Sequence, residues 1–210
     1  MAFIANTMFE VKVSNSVNNQ TQNVPGKFGT GTGAGFTAQD CSAGILCVQN
    51  GLLPLEGYEA ANRLNGNSWY FNVATDGNDG LLGDHTGIYA FNNYDVSKAV
   101  STNGNGNQWN VGFETLGLGL PAGNRGDFCE IIIGEQYTFG AGNFSTAPGE
   151  GVSTGYATIA NGRLVYSASA PADGSGVAFQ ILRTIPVNEG TTYWGLGYIL
   201  KAIRVAPAAN

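Results

Sequence analysis

Residues 163–185, RLVYSASAPADGSGVAFQILRTI, contain two apolar runs separated by a strong turn signal. The runs are RLVYSASA (163–170) and VAFQILRTI (177–185). The dipeptide Asp173-Gly174 between them is typical of tight turns. Alternation predicts that the second run is a strand whose apolar face is formed by Val177, Phe179, Ile181 and Ile185. Gln180 and Thr184 are expected to point away from that face. The stretch therefore predicts a strand on each side of a turn.

Short apolar runs cut by Gly, Asn and Asp continue through the rest of the chain. Alternating positions predict further strands at Trp69, Phe71 and Val73, at Tyr89 and Phe91, at Val111, Phe113 and Thr115, and over YILKAIRV (198–205). FCEIIIG, from Phe128, is a continuous apolar run typical of a strand buried on both faces. The one helical pattern is LEGYEAANRLNG (55–66). Turn signals about every 8 to 15 residues favour an all-β fold, an antiparallel sandwich or barrel-like domain with many short strands, long Gly/Asn-rich loops and little helix.

The composition is that of a strand-and-turn protein with few charges. Of 210 residues 32 are Gly, and 11% are charged against a usual ~25%. A chain of this length removes roughly 70% of its unfolded surface from water, which is enough for a core without disulfides. We expect a single β-rich domain over residues 35–210, preceded by an N-terminal strand and a flexible arm over residues 1–34. The strand is predicted by the alternation of Phe9, Val11 and Val13, and the polar segment from Ser14 offers little to bury.

The charge pattern excludes two classes of partner. The net charge is −6 and the nine Lys and Arg residues are scattered, so the chain lacks the basic surface that nucleic acids and anionic membranes require. No apolar run approaches the ~18 residues of a membrane span, and MAFIANTMFEVKV lacks the features of a signal peptide. We therefore expect synthesis in a cytoplasm. The odd number of cysteines agrees, and Cys41, Cys47 and Cys129 are expected to be buried free thiols.

Three strings have the letters of functional motifs without the expected surroundings. GVSTG (151–155) spells a nucleophile elbow, but that elbow needs a strand before Ser153 and a helix after it. GTGTGAG (29–35) is glycine-rich, but no βαβ pattern surrounds it, so a loop or hinge is the favoured interpretation. DGNDG (76–80) could offer carboxylates to a cation, although Asp, Asn and Gly are also the residues of tight turns. The turn is favoured, and we expect no metal and no cofactor.

His85 is the only histidine, and acidic residues are the remaining candidates for catalysis. One imidazole and three scattered thiols do not make a zinc site. His85 follows Asp84 at a loop-to-strand junction, where we expect it to fix the turn. A glycosidase needs two carboxylates, and candidates near predicted strands are Glu114, Asp127, Glu130 and Glu135. Their spacing selects no pair, so the sequence gives little support to an enzyme.

Five strings carry a family resemblance: DCSAGILCVQNGLLPLEGY, GDHTGIYAFNNYDV, GLGLPAGNRGDF, EQYTFGAGNFST and NEGTTYWGLGYIL, all within residues 35–205. Together they resemble virion proteins of tailed bacteriophages, above all the small proteins that decorate or cement the capsid shell. The resemblance implies a non-enzymatic β-rich protein, often a trimer, that binds major capsid proteins on the outside of the shell and stabilises it. It also implies synthesis in the host bacterial cytoplasm and incorporation into the virion.

The N-terminal segment is the first candidate for partner binding, through the apolar residues Phe3, Ile4 and Phe9. The alternative is that residues 3–13 form an ordinary strand of the main sheet. Three other functions stay open, namely a tail-associated or receptor-binding virion protein, a small β-fold glycosidase and a tail-tube subunit. The first of these would contact host surface glycans through aromatic side chains, for which the candidates are Trp69, Tyr70, Trp109, Tyr193 and Trp194.

Overall fold

The computed structural model describes residues 4, 7–12, 23–54, 68–80, 86–93, 119–189 and 192–207. These residues form thirteen strands and two short 3-10 turns, Gly33–Gly35 and Ala141–Asn143. The strands are β1 (Phe9–Lys12), β2 (Asn23–Thr30), β3 (Thr37–Ala38), β4 (Leu46–Leu52), β5 (Trp69–Val73), β6 (Ile88–Asn93), β7 (Gly126–Glu130), β8 (Gln136–Gly140), β9 (Phe144–Thr146), β10 (Tyr156–Ala160), β11 (Arg163–Ser167), β12 (Gly176–Glu189) and β13 (Thr192–Val205).

The strands form one open sheet and one closed barrel. The open sheet has the order β1-β8-β13-β12-β10-β11-β9, and its pairs are antiparallel except for β9 with β11. The barrel has the order β2-β5-β4-β6-β7 and closes because β7 pairs with β2, while β3 extends it beside β2. Within the barrel β2 and β5 are parallel and the other pairs are antiparallel. The prediction of an all-β, sandwich or barrel-like fold is confirmed.

Two hydrophobic clusters hold this arrangement together. One fills the barrel and consists of Phe28, Cys41, Ile45, Cys47, Phe71, Tyr89, Phe91, Leu120 and Phe128. The other joins the barrel to the inner face of the seven-stranded sheet, with Leu46, Ile88, Ala90, Cys129 and Ile131 on the barrel side and Phe9, Tyr137, Phe139, Phe179, Tyr198 and Leu200 on the sheet side. Successive residues of β4, β6 and β7 therefore alternate between the two clusters. This double burial is the reason that these strands are continuous apolar runs in the sequence.

The predicted arm is wrong for residues 23–30, which form β2. This strand pairs with β3, β5 and β7, so the barrel takes strands from both sides of the predicted boundary between residues 34 and 35. Positions 26 and 29 of this strand are glycines because no side chain would fit there. A Cβ at Gly26 would lie 2.5 Å from the ring of Phe71, and one at Gly29 would lie 2.2 Å from the carbonyl oxygen of Thr37.

The stretch over residues 163–185 does form two strands, but they do not pair with each other. β10 lies between β11 and β12 and pairs with both. A bulge between Ile181 and Arg183 also changes the phase of β12. As a result Thr184 lies opposite the buried Tyr198 on the core side, and Ile185 lies on the other face, which reverses the faces predicted for both. The helix predicted over residues 55–66 and the strand predicted at Val111–Thr115 lie outside the described residues.

Candidate functional site

The two longest strands extend beyond their neighbours in the sheet. β12 pairs with β10 only as far as Gln180, and β13 pairs with β8 only from Gly197 onward. Past these points, among the described strands, Thr184–Glu189 pairs only with β13 and Thr192–Leu196 pairs only with β12. We call these two segments the ribbon. Six residues of extended chain give it a length of about 20 Å.

A loop packs across the base of the ribbon on its core side. The Tyr198 hydroxyl donates a hydrogen bond to the carbonyl oxygen of Pro148 at 2.9 Å, and the Thr184 hydroxyl donates to that of Val152. The Ile181 N–H donates to the carbonyl oxygen of Gly155 at 2.9 Å. These bonds attach residues 148–155 to the hairpin, so the base of the ribbon is held against the body of the protein.

A cleft of about 310 Å³ lies between this loop and the ribbon. It is lined by Glu150, Gly151, Thr184, Pro186 and Leu196. Among the described residues that line the cleft, Glu150 is the one titratable side chain. Pro186 and Leu196 lie opposite each other in the register, so they form an apolar cross-strand pair on one face of the ribbon. The cleft is thus suited to an apolar side chain of a docked segment.

Sequence analysis did not find the ribbon, although it carries two of the aromatic residues considered for glycan binding. Tyr193 and Trp194 belong to β13. The other candidates are elsewhere: Tyr70 is 5% exposed, Trp69 is half-buried against the barrel cluster, and Trp109 lies outside the described residues. A useful signal was the turn string NEGTT between two apolar runs, which predicts a hairpin by the same logic as Asp173-Gly174.

Two of the three predicted partner-binding residues, Ile4 and Phe9, make contacts within the chain. Phe9 is fully buried, stacks on Tyr137 with ring centroids 5.7 Å apart and meets Phe139 edge-on at 5.2 Å. Its proposed role as a surface anchor is therefore wrong, and β1 is an ordinary strand of the sheet. Ile4 is half-buried against the barrel cluster, and its N–H donates to Ser42 Oγ at 2.7 Å. Phe3 lies outside the described residues.

The loop Asp76–Gly80 has the predicted turn. The Asp76 carboxylate accepts the N–H of Asn78 at 2.7 Å, and the Asp79 carboxylate accepts the N–H of Thr75. The Asn78 side chain donates to the carbonyl oxygen of Gly174 at 2.9 Å, which attaches the loop to the turn before β12. Within the described parts of the chain, no three His, Cys, Asp or Glu side chains are grouped as metal ligands would be.

Neither glycine-containing motif has the geometry that its chemistry needs. Ser153 is exposed in a loop that leads into strand β10, whereas a nucleophile elbow joins a strand to a helix. The glycines at the end of GTGTGAG form a 3-10 turn after β2, with no helix of the kind that binds a phosphate group.

Two of the four candidate carboxylates are buried in structural contacts at the connection between β7 and β8. Glu130 accepts the N–H of Gly87 at 3.3 Å, and Glu135 accepts the hydroxyl of Tyr137 at 3.1 Å. The Tyr137 oxygen in turn accepts the N–H of Ile132 at 2.7 Å. Burial, and then the charge of Glu135, raise the pKa of the Tyr137 hydroxyl. These contacts stabilise the turn that connects β7 to β8.

Of the other candidates for catalysis, Asp127 lies among the described residues. Asp127 is half-buried beside a second cleft of about 210 Å³ with Pro25, Arg125 and Gly126. Glu114 and His85 lie outside the described residues. Gly80 and Gly87 are in close contact, since a Cβ at Gly87 would lie 1.9 Å from the carbonyl oxygen of Gly80.

The three cysteines are buried free thiols, as predicted. Burial raises the pKa of Cys41 and Cys47, and it raises the pKa of Cys129 to about 12, with Glu135 and Glu130 adding to the effect. At neutral pH these side chains are therefore thiols, which are poor nucleophiles.

No family model, curated protein or solved structure matches this chain.

Among the strands and turns that the structure describes, no helix has the length and apolar character to cross a membrane. Among the described residues, the surface element best suited to binding is the ribbon with its cleft, because its strands pair with no third described strand. Its backbone edges and the apolar pair Pro186 and Leu196 suit the binding of a protein segment.

Proposed function

We propose that this chain is a non-enzymatic virion protein that binds the outside of a bacteriophage capsid shell and stabilises it by bridging major capsid protein subunits. The proposal rests on the family resemblance of the sequence together with one structural observation, the ribbon that pairs with no third described strand. We propose that the protein is synthesised in the host bacterial cytoplasm and is then located on the capsid surface.

The ribbon supports an attachment role because two strands alone are marginally stable in water. A third strand or a packing surface from another molecule would stabilise it. Its outer edges also present backbone groups that can extend a sheet into a partner, a common mode of protein association. A ribbon about 20 Å long is also long enough to contact a neighbouring subunit, which a bridging element must do.

The body of the protein suits a mechanical role. Among the described strands, the barrel is closed and only β3 forms an edge beside it, and the second cluster fixes the barrel to the seven-stranded sheet. A rigid body transmits force between its attachment points with little deformation. We favour a homo-oligomer, a trimer by the family resemblance, because an oligomer that holds several subunits gains from effective concentration.

The decisive experiment quantifies the protein in purified particles. We expect a copy number stoichiometric with capsomers, and particles that lack the protein should release DNA at a lower temperature. Absence from particles, or a handful of copies at the tail, would overturn the proposal; the latter would favour the tail-associated alternative.

A ribbon variant tests the structural part of the proposal. Ile185 and Gly197 are directly paired, so replacing residues 186–196 by Asn-Gly closes the hairpin with a two-residue turn. We expect this variant to fold and to lose at least nine-tenths of its particle occupancy. The matched control is Asp173→Asn at the opposite end of β12, which should bind as the wild type does. Normal occupancy of the shortened variant would show that the ribbon is not the attachment element.

A further inference from the structure

Two Asn-Gly dipeptides lie in the described parts of the chain, Asn50-Gly51 in strand β4 and Asn161-Gly162 between β10 and β11. Both asparagines are exposed. The same dipeptide at Asn65, Asn103 and Asn105 lies outside the described residues. Asn-Gly is prone to a spontaneous reaction of the chain with itself, because glycine has no side chain to obstruct attack by its own backbone nitrogen.

The reaction is deamidation. The glycine nitrogen attacks the side-chain carbonyl carbon of the asparagine, a C–N bond forms, and the bond from that carbon to Nδ2 breaks. Ammonia leaves with the proton that the glycine nitrogen gives up. Water then opens the five-membered succinimide at either carbonyl group, which yields aspartate or isoaspartate. The attack requires a glycine N–H that can lose its proton and a chain that can rotate to bring the two atoms together.

The surroundings of Asn161-Gly162 oppose this reaction. The Gly162 N–H donates to the carbonyl oxygen of Ala74 at 2.7 Å, and the Asn161 N–H donates to that of Thr75 at 2.9 Å. Gly162 is buried, and Asn161 has a φ of 50° in the two-residue turn that joins β10 to β11. The attacking nitrogen is therefore engaged, and the turn cannot rotate unless both bonds break.

The surroundings of Asn50-Gly51 are open. Gly51 is exposed, and a Cβ built there would have no atom closer than 3.6 Å. The register of β4 with β5 passes from Gln49 to Leu52, so Asn50 and Gly51 lie in a bulge without a paired residue. Asn50 Nδ2 donates to Asn72 Oδ1 at 2.6 Å, in the orientation of the Asn72 amide that satisfies both of its groups. That bond engages the leaving group and not the attacking nitrogen.

From this contrast we infer that Asn50-Gly51 is a deamidation site of the native protein, whereas Asn161-Gly162 is protected. The product carries one added negative charge at residue 50, and its isoaspartate form has one extra backbone carbon there. The bulge can accommodate this carbon because the pairing of β4 with β5 is already interrupted at the same point. The inference goes beyond the proposed function and does not depend on it.

The test compares each site with itself in the folded and the unfolded protein. The purified full chain is held at mildly alkaline pH for several weeks, with and without guanidinium chloride. Digestion in acid, followed by mass spectrometry of the peptides, gives the fractions of aspartate and isoaspartate at residues 50 and 161. The unfolded sample corrects for the sequence around each asparagine, so the ratio of native to unfolded rate reports the effect of the fold alone.

In the native protein we expect Asn50 to keep at least about a tenth of its unfolded rate, and Asn161 to react at least about a hundredfold more slowly than when unfolded, because its turn must first open. Isoaspartate should exceed aspartate at residue 50. Asn50→Gln, whose side chain would have to close a six-membered ring, should remove the product at this position. A ratio at Asn50 no greater than that at Asn161 would overturn the inference. So would aspartate without isoaspartate at residue 50, since that product would come from direct hydrolysis by water.

Discussion

Asn143→Ala tests how the N-terminal strand is held in the fold. The Asn143 side chain is buried, and its Oδ1 accepts the N–H groups of Met8 at 3.0 Å and Gly140 at 2.9 Å. Its Nδ2 donates to the carbonyl oxygen of Ala43 at 2.7 Å. One amide therefore connects the residue before β1, the end of β8 and a loop of the barrel.

The cost of the substitution follows from the groups that it leaves behind. Gly140 N–H keeps a bond to the Met8 carbonyl oxygen, but the Met8 N–H and the Ala43 carbonyl lose the partner that Asn143 provides. A buried unsatisfied group costs about 1–3 kcal/mol, so we expect a loss of about 3–5 kcal/mol in the free energy of unfolding. Urea denaturation followed by circular dichroism measures this loss, provided that the m-value is unchanged.

The control for this prediction is Ser145→Ala. Ser145 is exposed and makes one hydrogen bond of 3.3 Å to the Leu164 carbonyl oxygen, so its loss should cost at most about 0.5 kcal/mol. A cost below about 1 kcal/mol for Asn143→Ala would mean that water replaces the amide. The site would then not be sealed, and the attachment of β1 would not depend on Asn143.

Three further predictions concern burial and close packing. The free energy of unfolding should fall as pH rises from about 9 to 12, because burial raises the pKa of Tyr89 and Cys129 to about 12 and the folded state keeps protons that the unfolded state releases. The loss should be up to ~1.4 kcal/mol per pH unit for each group. Urea titrations at several pH values measure this loss, and a stability that does not change with pH would contradict the prediction. All three thiols should resist Ellman's reagent in the native protein and react after unfolding, whereas fast reaction of any thiol would show that it is accessible. Gly77→Ala would place a Cβ 2.2 Å from the Val177 carbonyl oxygen, so it should lower the free energy of unfolding by about 1–3 kcal/mol, as measured by thermal or urea unfolding. The control Gly35→Ala places a Cβ with no atom within 4 Å and should leave stability nearly unchanged. Equal effects of the two substitutions would refute the close contact at Gly77.

The fold class could be predicted from the sequence because each strand carries its own local pattern. Trp69, Phe71 and Val73, and likewise Tyr89 and Phe91, alternate within strands that the structure contains. The pairing of strands could not be predicted in the same way. β2 reaches β5 and β7 across long sequence separations, and its glycines resemble those of a loop until the Phe71 ring beside Gly26 is known.

Two features of the candidate site could not be predicted from the hydrophobic periodicity of the sequence. The bulge after Ile181 reverses the faces of β12, so a strict alternation from Val177 gives the wrong side for Thr184 and Ile185. The ribbon is interrupted in sequence by Pro186 and by glycines, which usually argue against a strand. Pro186 is tolerated in this ribbon, whose strands pair with no third described strand.

The same bulge separates two environments along β12. Before it, Phe179 and Ile181 face the cluster that fixes the barrel to the sheet. After it, Thr184 and Pro186 face the loop at residues 148–155 and its cleft. Under the proposed function, a substitution at Pro186 should therefore change attachment while the core keeps its packing, and a substitution at Phe179 should do the reverse. One hairpin can thus be rigid at one end and adapted to a partner at the other.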